Sequence, residues 1–187
     1  MNIIKILILT GLLFFTTCSE ERIGIIESAN VSYFPMQVGN KWVYESSSLD
    51  MTVEITGLII HNIYAYYEFI KTYDGEVDTV LCRASQYEKV FIFFGNSDEL
   101  LIDFQRAEGE TWQSFDHFYA KVNRRGLSVQ TTAGNFENVI EIFSDNTQSS
   151  DLYEFNRYAP EVGLVETIGF RRMFKLKRAY VNGVNYP

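Results

Sequence analysis

The sequence has few of the residues from which catalytic and metal sites are usually built. Its 187 residues include two histidines, two cysteines and three prolines. It has no Cys/His spacing typical of zinc sites, no glycine-rich phosphate loop and no Gly-x-Ser-x-Gly motif. Asp116 and His117 are adjacent, but neighbours on a strand point to opposite faces and do not form a catalytic pair. We therefore expect no metal, no cofactor and no enzymatic activity.

Positive charge and a long hydrophobic run are also lacking. The formal net charge is −8, which argues against a nucleic-acid partner. The apolar run at residues 6–15 follows Lys5 and is about half of the ~20 residues that a membrane-spanning helix needs. A basic residue followed by a short apolar run is typical of a secretory signal peptide. We assign residues 1–17 to this signal.

Cys18 directly follows the apolar run, in Phe15-Thr16-Thr17-Cys18. This resembles the lipobox of bacterial lipoproteins, although Phe15 and Thr17 depart from its usual residues. Acyl chains such as palmitate on Cys18 would suffice to hold the protein on a membrane, at about 0.8 kcal/mol per buried methylene. A plain signal peptide with a chance cysteine is the alternative.

The residues after Cys18 predict where the protein lies. Ser19 resembles an outer-membrane address, and Glu20-Glu21 resembles a surface-export signal. We predict an outer membrane lipoprotein, either periplasmic or surface-exposed. Residues 18–32 form a tether and residues 33–187 a single β-domain. Cys82 then has no cysteine partner, and its apolar neighbours predict a buried structural thiol.

Short alternating segments rich in aromatic and β-branched residues favour strands over helices. Met51, Val53 and Ile55 alternate with polar residues, which is typical of a half-buried strand. Turns are predicted at residues 57–62, at Asp74-Gly75 and at residues 124–126. About ten to twelve strands follow. Because twist accumulates, we predict an all-β fold: a curled antiparallel meander forming a half-barrel or barrel-like sandwich.

Three motifs occur in the order found in a known group of proteins. Residues 34–44 are Phe-Pro-Met-Gln-Val-Gly-Asn-Lys-Trp-Val-Tyr, residues 133–139 are Ala-Gly-Asn-Phe-Glu-Asn-Val, and residues 158–165 are Tyr-Ala-Pro-Glu-Val-Gly-Leu-Val. The chain thereby resembles uncharacterised all-β lipoproteins of Gram-negative bacteria, departing mainly at Met36, where leucine is commoner. The resemblance implies a domain of antiparallel strands and no established catalytic residue.

Aromatic side chains, 16% of the residues, supply the candidate binding residues. Some predicted strands have apolar residues on both faces, and the second face either packs in the core or lines a ligand cavity. The candidate ligand-binding residues are Tyr64, Tyr66, Phe91, Phe93, Tyr153 and Phe155.

These observations predict a non-enzymatic, membrane-anchored envelope lipoprotein. Its membrane contact is the lipid on Cys18, and its β-domain binds a partner protein or an apolar ligand. One alternative is a structural or assembly subunit of an envelope complex that pairs through exposed strand edges. An envelope hydrolase is the third hypothesis, because abundant carboxylates such as Glu108, Glu110 and Asp145 show no fixed catalytic spacing.

Overall fold

A computed structural model describes residues 25–26, 28–29, 31–149, 152–169 and 172–187. Thirteen β-strands and no helix occur in these residues, which confirms the all-β prediction. The strands of the first half are β1 (Lys41–Glu45), β2 (Asp50–His61), β3 (Tyr64–Tyr73), β4 (Glu76–Ser85), β5 (Lys89–Phe94) and β6 (Ser97–Asp103). Those of the second half are β7 (Thr111–Gln113), β8 (Phe118–Thr131), β9 (Gly134–Asn146), β10 (Tyr153–Ala159), β11 (Gly163–Gly169), β12 (Met173–Val181) and β13 (Val184–Tyr186).

The strands form one antiparallel sheet with the order β6-β5-β4-β3-β2-β1-β12-β11-β10-β9-β8-β7, and β13 pairs with β12. Pairing of β1 with β12 joins two meanders at the middle of the sheet. Twist then curls the sheet until its two edge strands, β6 and β7, face each other. The indole of Trp112 on β7 is buried, and its Nε1 donates to the Leu101 carbonyl on β6 at 3.4 Å. The sheet is therefore a nearly closed barrel.

Two predicted turns are strands in the structure. β8 continues through residues 124–126 with several register shifts against β9, and Gly126 adopts a left-handed φ of 66°. β2 continues through Gly57, where the pairing with β3 shifts between Ile55 and Gly57. Glycine and polar residues at such positions accommodate β-bulges, which bend a strand without ending it. The hairpin predicted at Asp74-Gly75 is present, with both residues at positive φ.

One end of the barrel interior is filled by residues 31–36, which we call the plug. Val31 has no exposed surface, and Met36 is buried in the same hydrophobic cluster. The Phe34 ring lies 5.5 Å from the Phe69 ring on β3 and 6.2 Å from the Tyr158 ring on β10. Because the plug contacts strands from both halves of the sheet, it fixes the curvature of the barrel at this end.

The first and third sequence motifs meet beside the plug. Trp42 Nε1 donates to the Val162 carbonyl at 2.7 Å, and the Tyr44 hydroxyl donates to the Leu164 carbonyl at 3.0 Å. Gly163 has a φ of +91°, and a Cβ there would lie 3.2 Å from Pro35 Cδ. Motifs about 120 residues apart thus form one packing unit.

The chain enters the barrel between β3 and β4. Ile26 N donates to the Ile63 carbonyl at 2.6 Å, and Ala65 N donates to the Ile26 carbonyl at 3.0 Å. On the other side, Ala29 N donates to the Ala84 carbonyl at 3.1 Å. Part of the segment predicted as a tether therefore contributes hydrogen bonds to the sheet.

Candidate ligand cavity

The barrel interior is open at the end opposite the plug, where it forms a cavity of about 800 Å³. The cavity is bounded by the first residues of β2, β8, β10 and β12 and by the last residues of β3, β9 and β11. Its apolar lining residues are Met51, Val53, Leu101, Ile102, Phe115, Phe118, Ala120, Ile142, Leu152, Leu164 and Phe174. Every second side chain of a strand faces inward, so the alternation of β2 places Met51 and Val53 in this wall.

Several polar groups in the wall are already hydrogen-bonded. Ser114 Oγ donates to the Leu101 carbonyl at 3.2 Å, and Thr167 Oγ1 donates to the Asn156 side-chain oxygen at 2.8 Å. Asn156 Nδ2 in turn donates to the Glu154 carboxylate at 3.3 Å. Satisfied polar groups need no ligand atom as a partner. The wall therefore favours an apolar ligand.

Charged side chains lie at the mouth of the cavity around Tyr73. Lys71 Nζ is 5.0 Å and Arg172 Cζ is 6.0 Å from the centre of the Tyr73 ring. The hydrogen bond and the negative charge of Glu76 raise the pKa of the Tyr73 hydroxyl above its usual value. The mouth thus combines two cations with carboxylates on the neighbouring strands, and its charge is close to balanced.

Four of the predicted binding residues form a cluster on the outer face of the sheet, away from the cavity. Its centre is Arg83, whose guanidinium lies 4.2 Å from the Tyr64 ring centre and 4.5 Å from that of Phe91. The Tyr66 hydroxyl donates to Asp98 at 2.7 Å, and the Phe93 ring packs 5.5 Å from the Tyr66 ring. Burial, together with this acceptor, raises the pKa of Tyr66 to about 12.

The remaining two predicted residues contact each other, with ring centres 6.2 Å apart in a T-shaped arrangement. Tyr153 lines the cavity, whereas Phe155 packs on the outer face with its ring 5.0 Å from that of Phe143. Of the six predicted residues, Tyr153 is the one in the cavity wall, and a ligand role for all six stays a prediction. Sequence reasoning missed most of the wall, although the alternation at Met51, Val53 and Ile55 was a usable signal for part of it.

Asp116 and His117, which were considered for catalysis, lie in a turn, and two buried glutamates belong to an ion-pair network. Asp116 and His117 form a turn with φ of 47° and 66°, rather than the strand positions that the sequence predicted. Glu141 and Glu166 are buried, and both accept hydrogen bonds from Arg157. Burial lowers the pKa of Arg157, but the hydrogen bonds and charges of these two glutamates raise it by more. Lys175 Nζ also lies 3.2 Å from Glu166 Oε1, and two acids paired with two cations are typical of a structural ion-pair network.

Cys82 is buried, and burial raises the pKa of its thiol to about 12. A thiol that stays protonated is a poor nucleophile and a poor metal ligand. In the described part of the chain, no group of three or more His, Cys, Asp or Glu side chains is placed to hold a metal ion. The same residues include no helix long and apolar enough to span a bilayer. Cys18 lies outside the described residues.

The sequence matches no protein-family model and no curated protein. Two solved structures are similar to the described fold. A protein from Bacteroides fragilis, assigned as exported and with a YmcC-like fold, has 14% sequence identity and a TM-score of 0.49, over 80% of this chain and 99% of that chain. A protein from Parabacteroides distasonis, assigned as a lipoprotein, has 13% identity and a TM-score of 0.48, over 81% of this chain and 100% of that chain. At such low scores, neither similarity says anything about the function of this chain.

Proposed function

We propose that this chain is a non-enzymatic lipoprotein of the bacterial outer membrane, anchored by acyl chains on Cys18, and that its β-domain binds an apolar ligand. We also propose that it belongs with the all-β lipoproteins whose motifs it resembles. The anchor is supported by the short apolar run that ends at Cys18. The binding role is supported above all by the open, apolar cavity of about 800 Å³.

The size of the cavity favours a long apolar ligand over a short one. Cavities of ~300–1,000 Å³ are the usual size for small-molecule binding. A ligand that buries about six methylenes gains roughly 5 kcal/mol, which is close to the lower estimates of about 4 kcal/mol for the entropy lost on association. About sixteen methylenes gain roughly 13 kcal/mol. A long hydrocarbon chain is therefore the ligand that the wall would retain.

A cavity-filling substitution tests the binding role. Ser144 lies in the wall, so Ser144→Phe would occupy part of the ligand volume. The mature chain carrying Cys18→Ser, which keeps every described residue, is titrated with a dansyl-labelled undecanoic acid whose fluorescence rises in apolar surroundings. We expect saturable binding to the parent chain and binding at least about tenfold weaker for Ser144→Phe, equivalent to about 1.4 kcal/mol.

The matched control is Ser128→Phe, which places the same side chain at an exposed position of β8 outside the cavity wall. It should bind the probe as the parent does, and thermal unfolding should show that both variants are folded. A parent chain without saturable binding, or a folded Ser144→Phe variant with parental affinity, would contradict the binding role.

Membrane anchoring is tested separately. The full chain is expressed with its signal, and the membrane fraction is compared for the natural chain and for Cys18→Ser. We expect an acyl modification on Cys18 by mass spectrometry and loss of membrane association in the variant. Equal membrane association of the two chains would contradict the anchor.

A further inference from the structure

An exposed apolar surface lies at the plugged end of the barrel, where the chain enters the fold. On β2, Leu58, Ile59 and Ile60 are 52%, 39% and 53% exposed, and Ile25 and Ile26 on the entering chain are 52% and 47% exposed. We call these five residues the apolar tip. Single exposed aliphatic residues are common on protein surfaces, but five on two neighbouring segments at one end of the barrel need an explanation. Leu58 and Ile60 share one face of β2 and Ile59 lies on the other, so the apolar tip includes both faces of the strand end.

The backbone pairing brings the two parts of the apolar tip together. Ile60 is the register partner of Ala65 on β3, and Ile26 forms a parallel bridge with Tyr64 on the other side of β3. Ile26 and Ile60 therefore flank the same end of one strand. The apolar tip is a consequence of where the chain enters the sheet.

The segment that forms the turn beside the apolar tip contains no charged residue. Residues 55–67, which include the turn between β2 and β3, have no Asp, Glu, Lys or Arg, although 21% of the chain is charged. His61 and Tyr64 at the turn combine an apolar ring with a polar atom. Side chains of this kind, Tyr above all, favour the boundary between lipid and water.

The β2 backbone limits how deep the apolar tip can lie. Pairing of β1 with β2 ends at Lys41 and Glu54, so residues 57–61 extend past β1 with one backbone edge unpaired by it. Unpaired N–H and C=O groups are costly in the hydrocarbon core and tolerable among lipid headgroups. A shallow contact, in which the side chains alone reach the acyl boundary, fits both the apolar side chains and the polar edge.

The proposed anchor places the apolar tip beside a membrane. Ile25 is seven residues after Cys18, and seven residues span at most about 25 Å even when fully extended. Val77, another exposed apolar residue, lies at the opposite end of the β3–β4 hairpin, one ten-residue strand or about 30 Å further away. The apolar tip is therefore the exposed apolar surface that a short tether keeps closest to the bilayer.

We propose that the apolar tip rests on the lipid surface of the bilayer that holds Cys18, as a second, shallow contact. This inference depends on the proposed acylation of Cys18. Because no charged residue takes part, the contact does not require anionic lipid and does not weaken at high salt.

Site-specific fluorescence tests this contact on the acylated full chain in phosphatidylcholine vesicles. Ile60→Cys is labelled with an environment-sensitive nitrobenzoxadiazole dye, and Val77→Cys is the matched control. Cys82 is buried with a raised pKa, so it should not take the label. We expect quenching by spin-labelled phosphatidylcholine that is at least about twofold stronger at residue 60 than at residue 77, and unchanged by salt.

A second variant places a negative charge in the apolar tip. Adding Leu58→Glu to the Ile60→Cys chain should remove most of the quenching, because a carboxylate is costly at the acyl boundary. The matched control is Thr79→Glu in the labelled Val77→Cys chain, which lies at the opposite end of the barrel. It should leave the quenching of that chain unchanged. A folded Leu58→Glu variant that is quenched as strongly as its parent would overturn the inference.

The outcomes separate the inference from the anchor on which it depends. An acylated, vesicle-bound chain with equal quenching at residues 60 and 77 overturns the lipid contact and leaves the anchor intact. A chain whose mass shows no acyl group overturns both. Dimerisation that shields residue 60 from lipid also overturns the inference, because the free edge of β2 would then pair with a second copy.

Discussion

The two ends of the barrel are built from the same strands but are filled differently. At one end the plug occupies the interior, with Phe34 packed between Phe69 and Tyr158. At the other end the same strands enclose a cavity of about 800 Å³. The motif residues Trp42 and Val162 lie at the plugged end. In this chain, the two motifs therefore form part of the packing that closes the plugged end.

The difference arises from a segment outside the strands. Every second side chain of each strand faces the interior, and at the open end these side chains leave a cavity unfilled. Residues 31–36 add side chains at one end, and the described residues include no equivalent segment at the other. Four experiments, given from the largest expected effect to the smallest, test this contrast.

Truncating one isoleucine at each end should distinguish the ends most clearly. Ile55 has no exposed surface and lies outside the cavity wall, whereas Ile142 is nearly buried and lines the cavity. We expect Ile55→Ala to lower the free energy of unfolding by about 3–5 kcal/mol and Ile142→Ala by about 2 kcal/mol, because a side chain beside an existing void has fewer contacts to lose. Urea unfolding measures both. Equal losses would mean that the open end is packed as tightly as the plugged end.

The burial of Cys82 should make the free energy of unfolding fall at high pH. Burial raises the pKa of this thiol to about 12 in the fold, against its ordinary value of 9.0. The fold therefore holds the proton that the unfolded chain releases above pH 9, so this contribution is complete below pH 9 and is lost as the pH rises towards 12. We expect a decline of up to about 1.4 kcal/mol per pH unit.

Cys82→Ala provides the control for that titration. It should reduce stability at neutral pH because a buried side chain is truncated, but its stability should decline less steeply between pH 9 and 10. If the two chains decline in parallel, the thiol is not protected by the fold. Urea unfolding across this pH range makes the comparison.

Gly163→Ala tests the contact between the plug and β11. A non-glycine residue at a φ of +91°, with Cβ 3.2 Å from Pro35 Cδ, should cost roughly 1–3 kcal/mol. Gly126→Ala, where φ is also positive but no atom lies within 4 Å, should cost only about 1 kcal/mol. Thermal unfolding measures the loss of stability in both variants. A larger loss for Gly163→Ala than for Gly126→Ala would show that the added Cβ displaces the plug, and equal losses would show that backbone strain alone accounts for both.

Leu58→Ser should have the smallest effect on stability. Leu58 lies on the same strand as Ile55 but is about half exposed, so in the non-acylated chain we expect a change within about 0.5 kcal/mol. Thermal unfolding in buffer without lipid measures it. A loss above about 2 kcal/mol would mean that Leu58 packs in the fold and is not available to a bilayer.

Much of the fold was predictable because it depends on local patterns. The alternation at Met51, Val53 and Ile55 correctly predicts the inward face of β2, and Asp74-Gly75 correctly predicts the β3–β4 hairpin. Both depend on neighbouring residues alone. The curled meander follows from many antiparallel strands and their accumulated twist.

Bulges and long-range packing explain what the sequence did not predict. The register shifts in β2 and β8 let these strands continue where glycine suggested a turn, and each shift changes which side chains face inward. Tyr64 and Tyr66 follow a strand pattern equally compatible with either face, and their outward position depends on pairing with distant strands. The cavity is harder to predict than the strands, because it is interior space that no side chain fills at the open end of the barrel.

The cavity mouth and the apolar tip lie at opposite ends of β3, which has a consequence for the direction of ligand movement in the proposed binding role. Tyr64 begins this ten-residue strand and Tyr73 ends it, so about 30 Å separates the two. A molecule lying on its apolar tip would hold its opening towards the aqueous phase. The ligand would then be exchanged with a soluble carrier or with the facing membrane. Uptake of lipid directly from the leaflet that holds Cys18 would not fit this orientation.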